Sequence, residues 1–194
     1  MSKEIWKAGN MIYPVPVVMV SCGDMEQSNI VTVAWSGTVN TNPAMAYISL
    51  RPSRFSYDII KRTGEFVINI TTEELAFATD WCGVKSGRDT DKFAEMKLTK
   101  QKAEHLNCPV IAESPVNIEC KVKDIIPLGS HDMFLAEVVG CMADKKHMDE
   151  NGRFDFASSK PICYSHGEYY GLGKYMGKFG WSVQKKKRNG RKSK

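Results

Sequence analysis

At Pro52 the hydrophobic pattern of this chain changes its period. Before it, residues 30–35 (Ile-Val-Thr-Val-Ala-Trp) and 44–50 (Ala-Met-Ala-Tyr-Ile-Ser-Leu) are rich in β-branched and aromatic residues and end in turn formers. Both are expected to be strands. After it, Phe55, Ile59 and Ile60 recur at helical spacing, and Ser53 stands where an N-cap would. A strand therefore runs directly into a helix whose first turn carries Ser53, Arg54 and Ser56, with Arg51 just ahead. Amides, hydroxyls and guanidinium groups gathered at a helix N-terminus suit a phosphate group. The same residues also describe an ordinary capped surface helix, because serine is a leading N-cap residue.

The rest of the chain keeps to short elements. Val15–Ser21 and Glu65–Ile70 are expected strands, with a turn starting at Gly23-Asp24. Thr71 or Thr72 can cap a second helix with Glu73 and Glu74 near its positive end, running through Leu75, Phe77 and Ala78 toward Trp81. Cys82–Phe93 is a polar, glycine-punctuated loop. Residues 116–122 alternate as a half-buried strand does, and Phe134–Cys141 is its expected neighbour across the turn Gly129–Asp132. Pro161–Ser165 is a further candidate strand. Short strands, two short helices and no long crossover helix exclude a doubly wound sheet. They predict a mainly β chain closed as a small antiparallel barrel.

The formal net charge of +5 misleads, because seven lysines and arginines fall between Lys185 and Lys194 with no acid among them. Without them the body carries −2, which gives no basic face for nucleic acid. The expected organisation is one domain over residues 1–183, followed by a basic, disordered tail at 184–194. The tail has no aromatics for stacking single-stranded bases, so a nucleic-acid-binding barrel is disfavoured. The six cysteines form no Cys-x-x-Cys pair, and the histidines show no ligand spacing, so no metal site is expected. Gly171-Leu-Gly-Lys-Tyr-Met-Gly177 lacks the spacing and the βαβ context of a dinucleotide fingerprint and reads as a glycine-rich loop. His166-Gly-Glu168 lacks the second half of a deaminase motif. With no signal-peptide pattern and no membrane-length apolar run, a cytoplasmic protein with reduced thiols is expected.

Trp35-Ser-Gly-Thr38, the following Asn42-Pro43, Ser49-Leu-Arg-Pro-Ser-Arg-Phe-Ser56 and Gly64-Glu-Phe-Val-Ile-Asn69 together resemble the flavin reductase-like family, in its flavoredoxin-like branch. The resemblance spans roughly residues 10 to 182. It implies an FMN-binding split barrel that pairs as a homodimer with the flavin near the interface. Arg51, Ser53 and Ser56 would hold the phosphate, and Trp35, Ser36, Gly37 and Thr38, as a turn, would face the polar edge of the ring. Ser49 and Leu50 belong to the same cofactor-binding string. Ser86–Phe93 matches a loop near the cofactor, where Lys92 either supports negative charge or is an ordinary solvated lysine. His131 matches the barrel mouth, with a backbone-bonded turn histidine as the alternative, and Tyr164–Ser182 matches a segment that wraps near the flavin. Two activities are compatible with this resemblance. One is an NAD(P)H-dependent flavin reductase and the other an electron carrier serving another redox protein. In both the flavin performs the chemistry, so no catalytic side chain is expected.

Overall fold

The structure is a computed structural model and describes residues 2–184; of the tail expected at 184–194, all but Gln184 lies outside the described residues. The elements run β1 (Val15–Pro16), β2 (Val18–Gly23), β3 (Ser28–Val33), β4 (Ser36–Asn40), β5 (Met45–Leu50), α1 (Phe55–Thr63) and β6 (Glu65–Ile70). They continue with α2 (Ala76–Val84), α3 (Lys92–Glu95), β7 (Lys100–Lys102), β8 (Pro109–Ile111), β9 (Val116–Pro127), β10 (Asp132–Ala143), β11 (Ile162–Ser165) and β12 (Glu168–Gly171).

Seven strands form one antiparallel sheet in the order β3-β2-β6-β9-β10-β5-β4. Its two outer strands, β3 and β4, are consecutive in the chain and separated only by Ala34 and Trp35. The chain thus passes from one edge of the sheet to the other through this corner, where the Ser49 amide donates to the Trp35 carbonyl at 2.8 Å and extends the β4–β5 pairing. Alternation along β5 turns Ala46, Ile48 and Leu50 inward, where they meet Val31 and Val33 of β3 with Phe66 and Phe134 in one core. Register shifts at Leu135/Ala136 and Val138/Gly140 help the long β9–β10 hairpin to bend around that core. This is the expected antiparallel barrel, split at the β3–β4 corner.

Every residue of β2 is buried, because a second core of Met19, Ile30, Leu75, Ala78, Cys82 and Phe93 covers the outer face. That packing places α2 and α3 against β3, beside the start of α1. Ile48 has no exposed surface and packs in the barrel core. Ile48→Val should therefore lower unfolding stability by about 0.5–1.5 kcal/mol, measurable by urea denaturation.

Several local expectations change. Arg54, not Ser53, occupies the N-cap of α1, in extended conformation and without a side-chain capping bond. Pro52 and Ser53 are instead held in a turn closed by the Arg54 amide on the Arg51 carbonyl at 3.0 Å, which delays the helix. The second helix starts after Leu75, since Thr72, Glu73 and Glu74 form a preceding turn, and it runs three residues past Trp81. Trp35–Thr38 is not a turn: from Ser36 onward it is the strand β4. The loop after α2 ends in α3, whose first amides, of Phe93 and Ala94, donate to the Asp91 side chain. β7, β8 and β12 were not anticipated. The last pairs with β11, and β11 with β1, in a small separate sheet.

Candidate functional site

The corner between β5 and α1 forms one wall of a cleft of about 340 Å³, and the segment after α2 forms the other. Arg51 and Ser53 lie exposed on the turn, whereas Ser56, in the first turn of α1, is fully buried. The Ser56 hydroxyl accepts from Asn29 Nδ2 on β3 at 2.7 Å. Across the cleft, Arg88 Nη1 donates to the Ser53 carbonyl at 3.2 Å, and its guanidinium lies 5.6 Å from the centre of the Phe55 ring. Arg54 Nη1 donates to the Gly83 carbonyl, also at 3.2 Å. Gly87 sits so close that a Cβ there would come within 2.1 Å of Asn29 Oδ1 and 2.8 Å of Phe55 Cδ1.

The charges in this cleft are all of one sign. Arg51, Arg54, Lys85, Arg88 and Lys92 line it, and no carboxylate does. Lys92 is not a solvated loop lysine. Only 4% of its surface is exposed, and Nζ donates to the Cys82 carbonyl in the last turn of α2 at 2.6 Å. Burial pulls its ammonium pKa down to about 8, with Arg54 adding to the shift while Cys82 and Cys22 oppose it. Burial raises the thiols of Cys22 and Cys82 to about 11, so neither offers a thiolate near neutral pH.

A second hollow of about 230 Å³ shares Arg51 and Arg54 with the first and runs to the barrel mouth, where Trp35, Ser49, Leu50, His131 and Tyr164 line it. Tyr13 packs beside Trp35 and Tyr164, with ring centroids 6.2 Å apart in each case, and so ties the small sheet to this rim. His131 Nδ1 lies 2.9 Å from Ser130 Oγ; no ring-to-backbone bond of the expected kind is present among the described residues. Burial, with Arg51 and Arg54 nearby, pushes its pKa down and favours neutral imidazole at pH 7. Ser36, Gly37 and Thr38 fall outside both hollows and run along the edge strand. The Ser36 hydroxyl is buried without a hydrogen-bond partner, and Gly37 is required by the Tyr47 ring, which a Cβ would approach to 2.9 Å. Among the described residues, no cluster of three metal-ligating side chains occurs and no helix is long and apolar enough to cross a membrane.

Comparison with known proteins bears on what such a cleft holds. The family model for the flavin reductase like domain matches residues 10–173, most of the chain. The chain belongs to that family. Among solved structures, the flavoredoxin of Desulfovibrio vulgaris (Miyazaki F) superposes with a TM-score of 0.87 at 28% identity, covering 94% of this chain and all of the other. A split-barrel structure from Shewanella frigidimarina NCIMB 400 has a TM-score of 0.75 at 18% identity, with 84% of each chain covered, and supports the fold alone. Among characterised sequences, an NADH-dependent FMN reductase of Streptomyces nodosus subsp. asukaensis is 26% identical over 160 residues, 81% of this chain and 78% of that protein.

Within this flavin reductase-like protein the sequence-derived phosphate residues are brought together, but not in equal roles. Arg51 and Ser53 face the cleft from the turn, while the Ser56 hydroxyl is held by Asn29. Asn29, Arg54, Gly87 and Arg88 were missed as site residues. Asn29 left one signal, a carboxamide opening an otherwise apolar strand run. Arg54, in the same cluster, was left out of the phosphate set that the resemblance implied, and the Arg51–Arg54 turn brings both side chains to the same two hollows. For a phosphate ester held in this cleft, Arg51→Ala is expected to weaken binding by about 1.5–3 kcal/mol, the range of a hydrogen bond to a charged group. Arg54→Ala should weaken it too, by a smaller amount, because its guanidinium is already engaged on Gly83. Lys61→Ala, in the last turn of α1, should leave dialysis-measured affinity unchanged.

Proposed function

We propose that this flavin reductase-like protein binds FMN, with the phosphate in the Arg51–Lys92 cleft and the ring toward the Trp35–His131 hollow, and acts as an NAD(P)H-dependent flavin reductase. The observation that carries this reading is the cleft itself, with five cationic side chains, no carboxylate and a glycine cradle. A terminal phosphate fits that donor set, because it needs several positive donors and no competing acceptor charge. When bound, FMN would supply the two-electron chemistry, accepting hydride from reduced nicotinamide.

The chain's own residues bind and shape. Arg51 and Arg88 provide planar donor forks suited to phosphate oxygens. The Asn29–Ser56 bond fixes the floor, and Lys92 adds a buried charge screened less by salt than the exposed arginines. Trp35, Leu50 and Tyr164 give the second hollow apolar and aromatic walls that limit water there. Neutral His131 is positioned to offer a polar contact at the mouth without adding charge. Exposed Trp6, Ile12, Leu172, Met176 and Phe179 on the two terminal segments supply apolar surface for a homodimer contact.

A second reading, an electron carrier for another redox protein, is supported by the likeness to the Desulfovibrio flavoredoxin. Anaerobic rapid mixing separates the two. The reductase reading expects NADH or NADPH to bleach the flavin within seconds. Bleaching by both that takes many minutes, against fast reduction by a ferredoxin-type donor, would replace it with the carrier reading.

A further inference from the structure

We propose that at alkaline pH the capture of a phosphate monoester in this cleft is coupled to proton uptake by Lys92, so that Lys92 always meets the phosphate dianion as an ammonium. The inference rests on the FMN reading above and adds the charge state in which the site operates. Lys92 is nine-tenths buried and lines the cleft, yet its Nζ has a single hydrogen-bond partner among the described residues, the neutral Cys82 carbonyl. An ammonium has three donors, so two remain for an incoming acceptor.

The groups that act on Lys92 do not neutralise it: α2 contributes the Cys82 thiol, β2 the Cys22 thiol and the entry to α1 Arg54, while Arg51, Lys85 and Arg88 line the same cleft. On its own element, the Asp91 carboxylate accepts from the amides of Phe93 and Ala94 and forms no ion pair with Lys92 among the described residues. Burial among cations makes the ammonium easier to deprotonate than in a free lysine, and an anion beside it reverses that effect.

The direction of the linkage follows. In the free protein Lys92 loses its proton near pH 8. A phosphate dianion beside it favours the ammonium and raises that pKa. The proton comes from solvent and adds to the free amine, so the ammonium offsets one charge of the phosphate dianion and the arginines of the cleft face the other. Below pH 8 the ammonium is already present and little proton moves at this residue. Above it, binding must take up the proton, and the dissociation constant rises by up to about tenfold per pH unit. Free FMN cannot supply that proton at pH 9, since a phosphate monoester has its second pKa near 6.

The test is isothermal titration of the full-length protein with FMN at pH 7 and pH 9, in pairs of buffers with different ionisation heats. The expected result is uptake of about nine-tenths of a proton per FMN at pH 9 and about one-tenth or less from Lys92 at pH 7. Riboflavin, which lacks the phosphate, should bind with none at pH 9. Lys92→Met should bind FMN more weakly and with no uptake, and Lys92→Arg, permanently charged, should bind without uptake and without the alkaline loss of affinity. FMN binding at pH 9 with no proton taken up overturns this inference alone. So does equal uptake with riboflavin, or uptake that persists in Lys92→Met. Absence of FMN binding at any pH would overturn the flavin reading and this inference with it.

Discussion

FMN is expected to bind at least about 100-fold more tightly than riboflavin, the same ring without its phosphate. The size follows from the cleft. A hydrogen bond to a charged group contributes about 1.5–3 kcal/mol, and two such bonds give about 3–6 kcal/mol, a factor of roughly 10² to 10⁴. Arg51 and Arg88 are exposed, so salt weakens their share. Buried Lys92 is screened least, and it sets the part that persists at physiological ionic strength. With no carboxylate in the lining, nothing in the cleft repels the phosphate. Equilibrium dialysis of both flavins in about 0.15 M salt is the measurement. Equal affinities would show that the cleft does not hold the phosphate, even if the ring binds elsewhere on the barrel.

The β5–α1 corner was legible because its signal is local, a change of hydrophobic period at Pro52 that adjacent residues fully determine. The strands with clean patterns, β5, β6 and β9, were legible for the same reason. What failed depended on contacts distant in sequence. Lys92 sits in a stretch that looks solvated, and it is buried only because Phe93 packs into the outer core with Met19, Ile30 and Cys82. Ser56 looks like a ligand hydroxyl until Asn29, 27 positions earlier, is seen to hold it. The bend at Ala34-Trp35 was hidden because a chain passing from one sheet edge to the other keeps the strand pattern on both sides of it. β7 and β8, three residues each, are too short to show a period. The family resemblance supplied the FMN expectation, and the side-chain geometry then assigned different positions to residues that the motif had grouped together.

Gly87→Ala should lower FMN affinity by about 30- to 150-fold, the equivalent of about 2–3 kcal/mol. Gly87 has no need of unusual backbone angles; what it requires is space. A methyl group there would lie 2.1 Å from Asn29 Oδ1, 2.6 Å from Asn29 Cγ and 2.8 Å from Phe55 Cδ1. Two responses are open, and both damage the cleft. If Asn29 gives way, its bond to Ser56 breaks and two buried polar groups lose their partner, at about 1–3 kcal/mol each. If instead the 84–88 segment moves outward, Arg88 leaves the Ser53 carbonyl and the two walls separate. The melting temperature of the flavin-free protein tells them apart, since only the first response lowers it substantially. Gly173→Ala is the control, as nothing lies within 4 Å of a Cβ at that position. A Gly87→Ala protein that binds FMN as tightly as the parent would mean that this loop is not a wall of the flavin site.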